Sequence, residues 1–234
     1  MSAVTAVLMP GTGSDDVFVQ AVFAGPLGAV GIEPRTPPPP PGSLLADGYL
    51  AALDRIAAGA GAPILAGGIS FGAHLAAEWA VRNPDRCAGL LLALPAWNGS
   101  PGSAPASMAA KVSADLVGRE GVDAALAIST AGVAPWLADE LGRAWRRHGE
   151  ELADGLRVAA GHPAPTLDAL AGLDVPAGLA ACVDDPVHPA AVAHEWAAAL
   201  PRAAVVETSL EALGRDRESL GRAAVLGWLR AARG

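Results

Sequence analysis

Lysine is almost missing from this chain: of its 16 basic residues, Lys111 alone is not arginine, a bias expected of a GC-rich, bacterial genome. Cysteine is nearly as scarce. Cys87 and Cys182 are the only two, both inside apolar runs, which excludes a disulfide framework and predicts buried, reduced thiols in a cytoplasmic protein. Positive charge is lacking overall, since the formal net charge is -8, so neither nucleic acid nor an anionic membrane surface is an expected partner. No apolar run approaches the roughly 20 residues a membrane helix requires. The start, Met1-Ser-Ala-Val-Thr-Ala-Val-Leu-Met-Pro10, has no basic region and meets proline too early to be read as a signal peptide. What is abundant is apolar: 52% of the 234 residues are hydrophobic and 17% charged, a composition that packs a core. The expected partner is a small molecule.

Short apolar runs alternate with longer amphipathic ones, the pattern of β-α-β units around a mostly parallel sheet. Strands are predicted near residues 3–9, 29–35, 63–68, 87–94, 177–184 and 203–208. Helices are predicted near 15–24, 43–58, 71–82, 188–199 and 218–232. The alternation breaks once, between the fourth and fifth strands. There the chain runs through Asn98-Gly-Ser-Pro-Gly-Ser103 and then helical stretches near 107–118, 121–130, 135–148 and 150–160. The division expected is an α/β core of residues 1–97 and 166–234, with a helical cap inserted at 98–165. Thr36-Pro-Pro-Pro-Pro-Pro-Gly42 is read as a stiff extended turn, because prolines cannot continue a ladder. A polyproline ligand for a partner domain is the other reading.

Gly68-Ile-Ser70-Phe-Gly72 is a G-x-S-x-G placed between an apolar strand and a helix. A sharp strand-to-helix turn strains the central residue, and small flanking residues let neighbouring backbone approach. The helix N-terminus adds partial positive charge where an oxyanion would form. Ser70 is thus the candidate nucleophile, and a serine in a tight turn is the bland reading. Pro10-Gly-Thr-Gly-Ser-Asp-Asp16 follows the first strand. As a dinucleotide loop it fails, since Asp16 occupies the third glycine position and two acids repel phosphate. As a glycine-rich turn at the same sheet edge, it offers the Thr12 N–H to pair with the Phe71 N–H in an oxyanion hole.

A third stretch, Cys182-Val-Asp184-Asp185-Pro-Val-His188-Pro189, ends the fifth strand. With a serine elbow followed by an acid at a strand end, the sequence resembles the α/β-hydrolase family over nearly its whole length. The resemblance implies an α/β-hydrolase-like, mostly parallel sheet of about six strands with helices on both faces and a helical cap. Against the family's G-x-x-D-x-x-x-P, matching Pro189 places the acid at Asp185, with Asp184 as second choice and Cys182 where glycine is usual. The resemblance also implies a histidine base in the loop after the last strand. Here that loop reads Glu207-Thr-Ser-Leu-Glu-Ala-Leu-Gly-Arg215, and no histidine follows His194. Arginine stays protonated and cannot relieve Ser70 of a proton.

Ligands of such sheets lie at the carboxyl ends of the strands, which ranks the remaining histidines. His188, three residues after Asp185, and His162, where the cap rejoins the core, are the candidate bases. His74, one turn into the elbow helix, and His148 and His194 are read as packing or surface residues. Trp97, Trp136 and Trp145 line an apolar pocket or pack the core. The expected function is hydrolysis of small esters or related acyl compounds through a Ser70 acyl-enzyme, with no metal and no cofactor. The alternatives are a catalytically impaired protein that binds a small apolar ligand or regulates, and a cofactor-free lyase or haloperoxidase-like enzyme of the same fold.

Overall fold

A computed structural model describes residues 4–233. Six strands, β1 (Ala6–Met9), β2 (Pro34–Arg35), β3 (Ile64–Ile69), β4 (Cys87–Ala93), β5 (Ala177–Cys182) and β6 (Ala203–Thr208), form one sheet in the order β2-β1-β3-β4-β5-β6. Every neighbouring pair is parallel. The inner strands are apolar on both sides because both sides are covered. Val7 and Met9 point into one core cluster, Ala6 and Leu8 into the other. Side chains alternate across a strand, so this split is the two-residue period at work.

Helices α1 (Asp16–Gly28), α2 (Leu45–Gly59) and α3 (Phe71–Arg82) follow the first three strands. Among the described residues, Tyr49 and Leu53 of α2 and Trp79 of α3 fill one face of the sheet. Val22 and Phe23 of α1 fill the other, beside Leu220 and Ala224 of the C-terminal helix (Glu218–Arg233). That last helix lies so close to β5 that a Cβ on Gly178 would collide with the Ala224 carbonyl.

Between β4 and β5 come α4 (Pro105–Glu120), α5 (Val122–Ser129), α6 (Pro135–His148) and α7 (Leu152–Gly161). These four share an apolar cluster of their own, in which Ala114, Leu126, Trp145 and Leu156 are buried. The short α8 (Leu167–Ala171) leads back to β5, followed by α9 (Ala190–Ala199), β6, α10 (Leu210–Arg215) and α11, the C-terminal helix.

The second strand is a correction to the sequence reading. Residues 29–33 are not strand: α1 runs on to Gly28, and Val30, Gly31 and Ile32 donate back to Leu27, Gly28 and Leu27 carbonyls in a turn that Gly31 completes at φ 76. Only Pro34 and Arg35 pair with β1. At the first strand, Ala3 lies outside the described residues. Helices α8 and α10 were not anticipated; each is a single short run started by a side-chain cap, Thr166 onto the Ala169 N–H and Ser209 onto the Ala212 N–H. Residues 36–41 form no helix or strand, and Pro40 packs on Gly48 of α2. Cys87 and Cys182 are free and buried, and burial pushes their thiols up to about 11 and about 12.

The ladder registers decide where chemistry can gather. Met9 is paired with Gly68, Ile69 with Ala93, and Ala93 with Ala180, so β1, β3 and β4 end within one residue of each other and β5 runs two residues further. The turns that follow β1, β3 and β5 therefore emerge side by side at one edge.

Candidate active site

One residue joins β3 to α3. Ser70 sits at φ 53, ψ -115, a conformation that L side chains rarely adopt and that costs about 1–3 kcal/mol where the surroundings impose it. What imposes it is visible. The Ser70 N–H donates to the Ala93 carbonyl at 2.8 Å, and the Ser70 carbonyl accepts from the Ala73 and His74 N–H groups at 2.9 and 3.1 Å. The flanking glycines admit the β1 turn: a Cβ on either Gly68 or Gly72 would strike the Met9 carbonyl, and one on Gly72 would lie 2.7 Å from that of Pro10. Gly11 meanwhile abuts Ser70, where an added Cβ would lie 3.3 Å from the serine Cβ. Phe71 opens α3, so its N–H has no carbonyl four residues back to bond. Among the described residues neither it nor the Thr12 N–H has an acceptor.

At the end of β5 the chain turns through Asp185-Pro-Val-His188. The Ser70 Oγ lies 2.9 Å from His188 Nε2, and His188 Nδ1 lies 2.8 Å from Asp185 Oδ2. The other carboxylate oxygen accepts from the Val187 and His188 N–H groups at 2.8 and 3.1 Å. Burial works to raise the Asp185 carboxyl, but the imidazole and the two backbone donors outweigh it and hold it below the usual carboxylate range. An ionised carboxylate can only accept, so Nδ1 carries the imidazole proton and Nε2 is free to accept from the serine hydroxyl. Two side chains three residues apart thus place a carboxylate and an imidazole in line with one serine hydroxyl.

The other candidates lie elsewhere. Asp184 is exposed and accepts from the Leu210 N–H at 2.6 Å, so it serves the start of α10. His162 bonds Glu78 at 2.6 Å and packs edge-on against the Phe71 ring at 5.6 Å; its imidazole is paired with α3, not with Ser70. His74 is buried, and its Nε2 accepts from the Ala96 N–H at 2.9 Å. Burial, then the nearby His188 and His162, push it down to about 3, so it is neutral. His148 Nε2 lies 2.9 Å from the Ser14 carbonyl, and His194 pairs with Glu207 at 2.9 Å. Arg215 is exposed and paired with Glu211. Trp97 packs on His74, Trp145 lies in the α4–α7 cluster, and Trp136 sits under Arg217 against Gly214. Among the described residues no group of three or more His, Cys, Asp or Glu side chains could hold a metal ion, and no helix is long and apolar enough to cross a membrane.

Asp15 enters the sequence reading only as a charge that repels phosphate. In the structure it is fully buried, caps α1 through the Phe18 N–H at 3.0 Å, and takes both arms of Arg143 from α6 at 2.9 and 2.7 Å. An aspartate directly before a helix signals the cap; nothing in the sequence signals a guanidinium from 128 residues away.

No protein-family profile and no curated protein matches the sequence. Solved structures do match in fold. A malate-bound thermophilic esterase from Thermogutta terrifontis is similar with a TM-score of 0.73 and 18% identity, over 100% of this chain and 92% of the other. An enol-lactonase from Burkholderia xenovorans LB400 has a TM-score of 0.71 and 21% identity, over 98% and 92%. MenH from S. aureus has a TM-score of 0.70 and 14% identity, over 100% and 96%. The chain has the α/β-hydrolase fold: a six-stranded parallel sheet covered by helices.

Proposed function

We propose that the protein is a serine hydrolase of small esters or related acyl compounds, acting through a Ser70 acyl-enzyme. The observation that carries this reading is the pair of contacts from Ser70 through His188 to Asp185, at 2.9 and 2.8 Å. Ser70 Oγ attacks the acyl carbon as its proton passes to His188 Nε2. Asp185 holds the imidazole in the required tautomer and stabilises its positive form. The carbonyl oxygen, now negative, takes hydrogen bonds from the Phe71 and Thr12 N–H groups at the α3 N-terminus. His188 then returns the proton to the departing alcohol, and water, activated by the same imidazole, releases the acid and restores Ser70.

Ester and lactone cleavage by proteins of the same fold agrees with this class of substrate. The helices between β4 and β5 act on this reading as a cap over the strand ends. The rival, a protein that keeps a pocket without chemistry, draws its motive from the missing histidine after β6. His188 at 2.9 Å from Ser70 supports the hydrolase reading over that rival.

A fluorophosphonate probe tests the proposal. The purified protein is expected to label at Ser70, with labelling lost in Ser70→Ala and His188→Ala and kept in His162→Ala. A folded wild-type protein that does not label, or a His188→Ala variant that labels at the wild-type rate, sinks it.

A further inference from the structure

We propose that Arg143 is a positioning residue for the oxyanion donor at Thr12, acting through Asp15; this inference rests on the hydrolase reading above. The turn that carries Thr12 is held at two places. Near Ser70 it is wedged by Gly11, and the Ser14 N–H closes it onto the Gly11 carbonyl at 3.1 Å. At its far side four consecutive residues are gripped by α6. Trp145 stands over Gly13, where a Cβ would lie 3.0 Å from the indole nitrogen. His148 bonds the Ser14 carbonyl at 2.9 Å, Arg143 takes Asp15 at 2.7 and 2.9 Å, and Arg147 takes Asp16 at 2.5 Å.

Of these ties the Arg143 fork fixes direction as well as distance. Two parallel N–H bonds to one carboxylate define a plane, which a lysine ammonium cannot do. Asp15 is wholly buried while Arg143 is about a third exposed, so the carboxylate is the fixed partner and the guanidinium docks onto it. Burial tends to raise the Asp15 carboxyl, and Arg143, the Phe18 N–H and Arg147 together hold it below the usual range, which keeps it ionised. Arg143 is in turn oriented by Glu140, which also meets Arg217 at 3.5 Å, so α6 is tied to the link between α10 and α11 as well. Thr12 makes none of these bonds. Its N–H inherits its place from neighbours on either side.

An oxyanion donor acts only when it is aimed at the position the charge will occupy, and a displacement of about 1 Å can cost about 10²-fold in rate. The test measures p-nitrophenyl acetate hydrolysis and fluorophosphonate labelling for the wild type, Arg143→Lys and Asp15→Asn. The second variant keeps an oxygen for the Phe18 N–H and leaves no buried carboxylate unpaired, so it stays informative if the first does not fold. Expected is a kcat lowered about 10- to 100-fold with KM within about twofold, labelling slowed in proportion. Amide exchange of the 10–18 segment should quicken while that of β3 and β5 does not. A labelled wild type with variants that keep kcat, or that change KM alone, overturns this inference and leaves the hydrolase reading standing. A wild type that does not label overturns both.

Discussion

The imidazole of His188 has one neighbour on each side, and each contact makes a separate demand. On the hydrolase reading, His188→Ala or Ser70→Ala should lower kcat by about 10⁴-fold or more, and Asp185→Asn by about 10⁴-fold through the wrong tautomer, with substrate binding little changed. Steady-state kinetics on a p-nitrophenyl ester checks all three. His162→Gln should keep the rate within about threefold, because its partner is Glu78; a collapse of kcat in that variant would return it to the list of bases. Ser70 is marked in the sequence as a candidate by glycines around a strained turn, and an acid at a strand end is marked as Asp185 or, second, Asp184, between which the family resemblance favours Asp185. For the candidate base the sequence offers both His188 and His162. Spacing along the chain says which end of the sheet a residue occupies, not which way its ring faces, and His162 is turned aside by a carboxylate on α3 that no motif announces.

Among the elements, the elbow is the least forgiving. Gly72 faces carbonyls of Met9 and Pro10 at contact distance, and backbone cannot retreat as a flexible side chain can. Gly72→Ala should therefore lower the melting temperature markedly or prevent soluble expression, whereas Gly161→Ala, where a Cβ would meet nothing within 4 Å, should leave it within a few degrees. The turn 185–188 makes a second prediction. One glycine inserted between Pro186 and Val187 should abolish fluorophosphonate labelling while the circular dichroism spectrum stays unchanged, because the acid and base lose their common turn but the strand does not. Inner strands and long helices were readable from periodicity. The second strand is not, since α1 runs past Gly25 to Gly28 and most of the stretch assigned to the strand forms the turn that follows it; α8 and α10, of five and six residues, are too short for a 3.6-residue period to register.

For the molecule as a whole, the buried titratable groups shape stability against pH. His74 is neutral when folded, with its value pushed down to about 3, so unfolding takes up one proton once pH falls below the ordinary value of 6.5. Its contribution is full above that pH and lost on the way down to about 3. Each pH unit in this window should remove about 1.4 kcal/mol for one proton. Asp15 and Asp185, whose carboxyls are lowered, add a second loss: their stabilisation is present above the ordinary carboxylate value and disappears as pH falls through their folded values. Urea melts between pH 7 and 3 should show a slope that His74→Gln flattens from about pH 6.5 down to about pH 3, leaving only the carboxylate loss at the acid end. An unchanged slope in that variant would mean that His74 does not remain neutral in the fold. The parallel sheet covered on both faces and the helical segment after β4 follow from alternation and from its single break. The grip of that segment on the β1 turn does not, because a bond between residues 15 and 143 has no local trace.

The acid and base share one turn, and this assigns unequal duties to the two parts of the sequence. On the hydrolase reading every group that exchanges a proton or stabilises the oxyanion lies at or before His188, while β6 adds the last strand and α9, α10 and α11 flank the sheet. A chain cut at Pro201, between α9 and β6, would carry all its reagents on one piece and a template on the other. Mixing the two should then switch probe labelling on, all of it on the larger fragment.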